Sequence, residues 1–215
     1  FRLGSRGWYR FSMKPILFDP PRSPYLVGYD GSFRVSRSPT DPPEGSPKKK
    51  ECRRLLEGLH EELRELQAKL YADNRYSVLL VFQAMDAAGK DGTIRAVMTG
   101  INPAGCQVYS FKKPSDQDLD HDFMWRIYRC LPERGRIGIF NRSHYEEALV
   151  VRVHPDYLGG QRIPRSIPLD QLWEERFDSF RDIEKHLDRN GTVDIDDLLF
   201  GEGGVGAETG EFAVG

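Results

Sequence analysis

Cysteine is scarce. Cys52, Cys106 and Cys130 are the only three in 215 residues, odd in number and far apart. They supply neither a disulfide frame nor zinc-ligand spacing, and they suit free thiols in a reducing compartment. The five histidines show no metal-ligand spacing either. Long apolar runs are missing: nothing approaches the roughly 18 residues that a membrane span needs. The first eleven residues contain arginine but no apolar stretch long enough for a secretory signal. The expectation is a cytoplasmic protein without membrane contact. An excess of one charge is also missing. Lys and Arg total 31 and Asp and Glu 33, a net charge of −2. No global field therefore favours nucleic acid, and any polyanion site has to be a local patch.

What is present is enough for one substantial domain, with 39% hydrophobic and 30% charged residues. Residues 1–47 are rich in Pro, Gly, Ser and Arg, and eight prolines there forbid a long helix. They read as an extended arm. The domain proper spans 48–193. From 48 to 72, Leu55, Leu56, Leu59, Leu63, Leu66 and Leu70 recur at helical spacing, so this helix lays leucines on the sheet or on a partner subunit. Val78–Phe82 is a buried strand, 93–101 a helix stopped by Asn102-Pro103, and 107–111 a second strand. Ser115 and Asp118 form a capping box for a helix running to about Cys130. Residues 136–140 are a third strand, 148–153 an apolar segment and 170–187 a helix. Residues 192–195 can open one more strand. The segment 194–215 is acidic and glycine-rich, with no Lys or Arg after residue 201. It is read as a divergent tail that buries little.

Strands alternating with helices imply a parallel α/β sheet wound on both faces. Ligands of such sheets bind beyond the carboxyl ends of the strands. Three strand ends should therefore converge: the loop 83–92, Lys112-Lys113 and Asn141-Arg142. The first is a small-residue loop between strand and helix, Gln83-Ala-Met-Asp-Ala-Ala-Gly-Lys-Asp-Gly-Thr-Ile94. Successive backbone N–H groups and a helix N-terminus can cradle phosphates there, and Lys90 adds a full positive charge. The usual phosphate loop has Gly where Ala84 stands and Ser or Thr after the lysine. The missing hydroxyl leaves Asp86 and Asp91 as candidates for the metal sphere. Taken alone, the stretch is also compatible with an ordinary glycine turn. Paired lysines such as Lys112 and Lys113 are commonly a solvated face. Arg142 suits a bidentate clamp on phosphate. His144 reads as a packing or hydrogen-bonding residue. Glu146 and Glu147 either pair locally or contact a nucleotide or its cation.

The chain resembles the polyphosphate kinase 2 family. The resemblance rests on Gln83–Ile94, Gly100–Val108, Ser110-Phe-Lys112, Pro114-Ser115, Leu119-Asp-His-Asp-Phe123 with Trp125-Arg126-Ile127, Gly138–Glu147, Trp173–Phe177 and Asn190-Gly-Thr192. It covers roughly residues 24–193. It implies a thymidylate-kinase-like phosphate-loop kinase fold, C-terminally incomplete here. It also implies reversible phosphoryl transfer between inorganic polyphosphate and a nucleoside mono- or diphosphate (AMP, ADP or GDP) with Mg²⁺. Asp86, Lys90 and Arg142 are the catalytic residues it implies, with Asp86 tied to the metal. Phosphate binding falls to Ala87, Ala88, Gly89, Lys90, Asp91, Gly92, Thr93, Lys112 and Arg142, and nucleotide binding to Asn141 and Glu146. The form Asn141-Arg-Ser-His-Tyr-Glu146 is similar to the branch that acts on monophosphates as well as diphosphates. A homo-oligomer is expected, with no nucleic-acid partner. The departure lies after Thr192, where the family carries a hydrophobic strand and a basic lid and this sequence an acidic tail. Weak or no turnover is the corresponding expectation. The alternatives are an inactive polyphosphate- or nucleotide-binding remnant and an ATP-dependent small-molecule kinase.

Overall fold

The computed structural model of the chain describes residues 34, 37, 42–84, 89–163 and 167–194. The expected parallel sheet is found. Strands β1 (Ser77–Phe82), β2 (Cys106–Ser110), β3 (Ile137–Asn141) and β4 (Thr192–Asp194) pair in the order β2-β3-β1-β4. All three pairings are parallel. The α-helices are α1 (Lys49–Asp73), α2 (Lys90–Met98), α3 (Asp116–Leu119), α4 (Trp125–Tyr128), α5 (Glu146–Val153) and α6 (Leu169–Arg189).

Alternation along the strands divides the core in two. Leu79 and Phe140 face one side, where Ile127, Tyr145, Ala148 and the α6 residues Trp173, Phe177, Phe180 and Ile183 cover them. Ile137 and Ile139 face the other, against Ile94 and Met98 of α2 and Leu70 of α1. Helices thus lie on both faces, and β1 and β3 are central because both of their faces are apolar.

Several boundaries move. The helix expected over 93–101 begins at Lys90, directly after Gly89, and ends at Met98, where Gly100 turns the chain with φ +79°. Ile101 is buried but lies beyond the helix. The strands expected at 107–111 and 136–140 are 106–110 and 137–141. The Ser115–Asp118 capping box is present in both directions. The long helix expected to follow it is instead two single turns, α3 and α4. The Asp122 side chain breaks it by accepting the Met124 N–H at 2.9 Å. The apolar segment 148–153 belongs to α5.

The leucine stripe of α1 is only partly turned to the sheet. Leu55, Leu59 and Leu66 are about half exposed. The inward face is Leu56, His60, Leu63, Gln67 and Leu70. Gln67 is its buried anchor, donating to the Asn102 carbonyl at 2.8 Å and accepting the Asn102 N–H at 3.0 Å. Gly105 is required beside it, because a Cβ there would collide with the Gln67 amide. The tail expected over 194–215 lies outside the described residues from 195 onward.

Candidate functional site

The three expected strand ends do come together. Phe82, Asn141 and Ser110 stand side by side in register across β1, β3 and β2. Their carboxyl ends face the N-terminus of α2, which opens at Lys90 behind Gly89. Gly89 sits at φ +87°, in the left-handed region that favours glycine, and a Cβ there would meet nothing within 4 Å. The requirement at this position is therefore conformational rather than steric. Thr93 closes the first turn through its hydroxyl, which donates to the Gly89 carbonyl at 3.3 Å. Gly92 and Asp91 lie on the same exposed turn, and Lys90 is half-buried. Asp86, Ala87 and Ala88 lie outside the described residues.

The β3 end is joined to this helix. Asn141 donates its side-chain amide to Asp91 at 2.6 Å. Asp91 is thus occupied by a protein partner. The next residue, Arg142, has φ +65°, a conformation that costs a non-glycine residue on the order of 1–3 kcal/mol. Its N–H donates to the Phe82 carbonyl at 3.0 Å, which clamps the β3 end to the β1 end. Its guanidinium lies 4.0 Å from the Glu146 carboxylate. The other Glu146 oxygen accepts the side-chain amide of Gln83, which starts the loop. Ser143 donates to Gln83 at 3.4 Å. Glu146, expected as a nucleotide contact, is therefore also a strut between the loop and Arg142. His144 is fully packed, against Tyr145 and Phe180, with neither ring nitrogen hydrogen-bonded. Burial lowers its pKa to about 3, so the ring is neutral.

Two cavities adjoin the β2 end. One is an open basic groove lined by Lys112, Lys113, Arg126 and Arg129. The other, of about 240 Å³, lies between the α3–α4 segment and α6. Beneath it is a buried polar network that the sequence reading missed. Arg176 donates to the Glu147 carboxylate at 2.9 Å and to the Glu147 carbonyl at 2.8 Å. Gln161 bridges the same pair, and Arg126 lies 3.9 Å from Glu147. Burial pulls the Arg176 guanidinium below its ordinary pKa, and Glu147 opposes that shift. Arg126 also donates to the Lys112 carbonyl at 2.8 Å, fixing the chain where it leaves β2. Burial disfavours the charge on Asp118. The Ser115 N–H and hydroxyl, with Arg126 and Arg129, outweigh it and hold the carboxyl below the usual range. The only sign of this network in the sequence is a charged residue inside the apolar stripe of α6.

Among the described residues no group of three or more His, Cys, Asp or Glu side chains could hold a metal ion. Mg²⁺ needs no such group, because it is commonly held by one or two carboxylates together with substrate phosphates and water. Asp86, the carboxylate expected to hold it, lies outside the described residues.

A parallel sheet whose strand ends converge on a glycine-gated helix N-terminus beside Lys90 and Arg142 is the arrangement of a phosphate-loop α/β fold. The more particular assignment follows from comparison with known proteins. The family model described as Polyphosphate kinase 2 matches residues 46–196, and the chain belongs to that family. It is 52% identical over 169 residues to an ADP-polyphosphate phosphotransferase of Rhodopseudomonas palustris, covering 78% of this chain and 58% of that protein. It is 41% identical over 170 residues to an AMP/ADP-polyphosphate phosphotransferase of Meiothermus ruber, covering 79% and 60%. The crystal structure of polyphosphate kinase 2 from Arthrobacter aurescens TC1 superposes with a TM-score of 0.68 at 32% identity, covering 79% of this chain and 57% of that one. The chain therefore spans a little under two thirds of the length of these relatives.

Proposed function

We propose that the protein transfers a phosphoryl group between inorganic polyphosphate and AMP or ADP, with GDP as a further acceptor. The observation that carries this reading is the clamp at the β3 end. Arg142 is held in a strained backbone conformation beside the helix that starts at Lys90, and Asn141 ties that helix to the sheet. Phosphoryl transfer requires alignment and charge neutralisation more than covalent help from the protein. Lys90 and the first N–H groups of α2 supply positive charge to the transferring phosphate. Arg142 neutralises a second oxygen from across the strand ends. Lys112, exposed beyond β2, extends the same field. Asp86, with Mg²⁺, is the group that completes the loop. Asp86 would hold Mg²⁺, and the ion would supply further positive charge to the transferring phosphate.

A cytoplasmic, homo-oligomeric enzyme acting on no nucleic acid is part of the same proposal. The names of the relatives support the choice of donor and acceptor. The identity of the donor is the decisive point. Incubation of purified protein with ADP, Mg²⁺ and polyphosphate is expected to yield ATP, at a weak rate in keeping with the divergent sequence after Thr192. Incubation of AMP with ATP and no polyphosphate is expected to yield no ADP. Formation of ADP in the second mixture, with no product in the first, would favour an ATP-dependent kinase instead.

A further inference from the structure

The lysine that reaches beyond β2 is aimed by its neighbours. Lys112 follows Phe111, whose N–H donates to the Asn141 carbonyl at 3.0 Å, so the β2 exit is tied to the β3 end. Past that bond the chain leaves the sheet, and there the Lys112 carbonyl accepts a hydrogen bond from Arg126 at 2.8 Å. The lysine is thus held on both sides of its own Cα, by β3 before it and by α4 after it. Arg126 is in turn oriented from two directions. Its guanidinium lies 5.6 Å from the ring centroid of Phe111, which packs edge-on against Phe140 of β3 at 4.8 Å. It lies 3.9 Å from Glu147, which Arg176 and Gln161 anchor from the far side. Glu147 directly follows Glu146, the residue that reaches Arg142. One turn of α5 therefore orients an arginine at the β2 exit and another at the β3 end. The two cations at the β2 exit differ in exposure. The Arg126 side chain is 13% accessible and faces protein oxygens, whereas Lys112 is exposed.

We propose that Arg126 is a positioning residue. It fixes the backbone at Lys112, so that the lysine ammonium meets the phosphate chain beside the strand ends, and it makes no contact with the phosphate itself. Holding the stem of a flexible lysine in advance reduces the ordering entropy that binding would otherwise cost. This assignment rests on the proposed function for the choice of ligand and goes beyond it in saying which half-buried group acts through which exposed one.

The test is a double-mutant cycle, read by calorimetric titration of the full chain with tripolyphosphate. Lys112→Ala and Arg126→Met are each expected to weaken binding about fivefold or more, and the two together no more than about 1.5-fold beyond Lys112→Ala alone. Arg126→Lys, which keeps a donor for the Lys112 carbonyl, is expected to bind within about twofold of wild type. Losses that multiply in the double variant would overturn the proposal, because Arg126 would then meet the phosphate on its own. So would an Arg126→Lys protein as weak as Arg126→Met, or wild-type affinity in either Lys112→Ala or Arg126→Met. If Arg126→Met does not fold, Arg126→Gln, which keeps a polar side chain there, closes the same cycle. Wild-type protein that binds no tripolyphosphate would count against the proposed function as well. Binding that is present but additive across the cycle counts against the positioning role alone.

Discussion

At the scale of single residues, the buried ion pair is the most exposed to test. Arg176 and Glu147 are each 4% accessible at the side chain, so removing one partner leaves a desolvated charge. Arg176→Met is expected to destabilise the protein by about 3–5 kcal/mol in denaturant unfolding. Adding Glu147→Leu should restore part of that loss, because the stranded carboxylate goes with it. A second residue-scale outcome concerns pH. His144 is neutral in the fold down to about pH 3, whereas the unfolded chain protonates it near its ordinary 6.5. The unfolded state therefore gains a proton first, and stability falls as pH drops below 6.5. Its contribution between pH 7 and pH 5 is about 2 kcal/mol. Unfolding curves measured across that range should be flatter in His144→Phe by about this amount. An unchanged slope would mean that the ring is not the titrating group.

At the scale of elements, the sequence was most informative where one local interaction decides the structure. The Ser115–Asp118 box started α3 where expected, and the β-branched run 78–82 gave β1 all but its first residue. It was least informative where a polar side chain replaces an apolar one in a packed stripe. Six leucines in 55–70 predict a leucine face, but the helix turns Leu59 and Leu66 outward so that Gln67 can bond both backbone groups of Asn102. Glu147 was expected either to pair locally or to contact a nucleotide, but its partner Arg176, 29 positions away, was not foreseen, because periodicity marks a charged residue as solvent-facing whether or not a partner is waiting. The apolar residues of 119–128 keep helical spacing through a chain that is not one continuous helix, because Asp122 captures the backbone between α3 and α4. The α1 account predicts a contrast. Gln67→Ala should cost about 2 kcal/mol, since it orphans the Asn102 N–H and carbonyl, whereas Leu59→Ala should cost under about 0.5 kcal/mol. Equal losses in thermal unfolding would contradict the assigned face.

At the scale of the whole molecule, the site is a meeting of strand ends, and that much was legible in advance. The order of motifs along the chain placed Lys90, Asn141 and Arg142 at the carboxyl edge of one parallel sheet, and β1 and β3 pair with Phe82 opposite Asn141. The struts were not legible. Gln83–Glu146 and Asn141–Asp91 join residues 63 and 50 positions apart, and no local pattern announces such pairs. They tie the start of the loop and the first turn of α2 to the β3 end, beside Lys90 and Arg142. The most direct test is phosphorus NMR of purified protein with polyphosphate, ADP and Mg²⁺, run beside Lys90→Ala. The account predicts ATP formed at the expense of polyphosphate, with the initial rate down about 100-fold or more in the variant, because the charge that Lys90 supplies is lost where negative charge develops. Equal rates in the two proteins, or polyphosphate left intact while ATP appears, would contradict it.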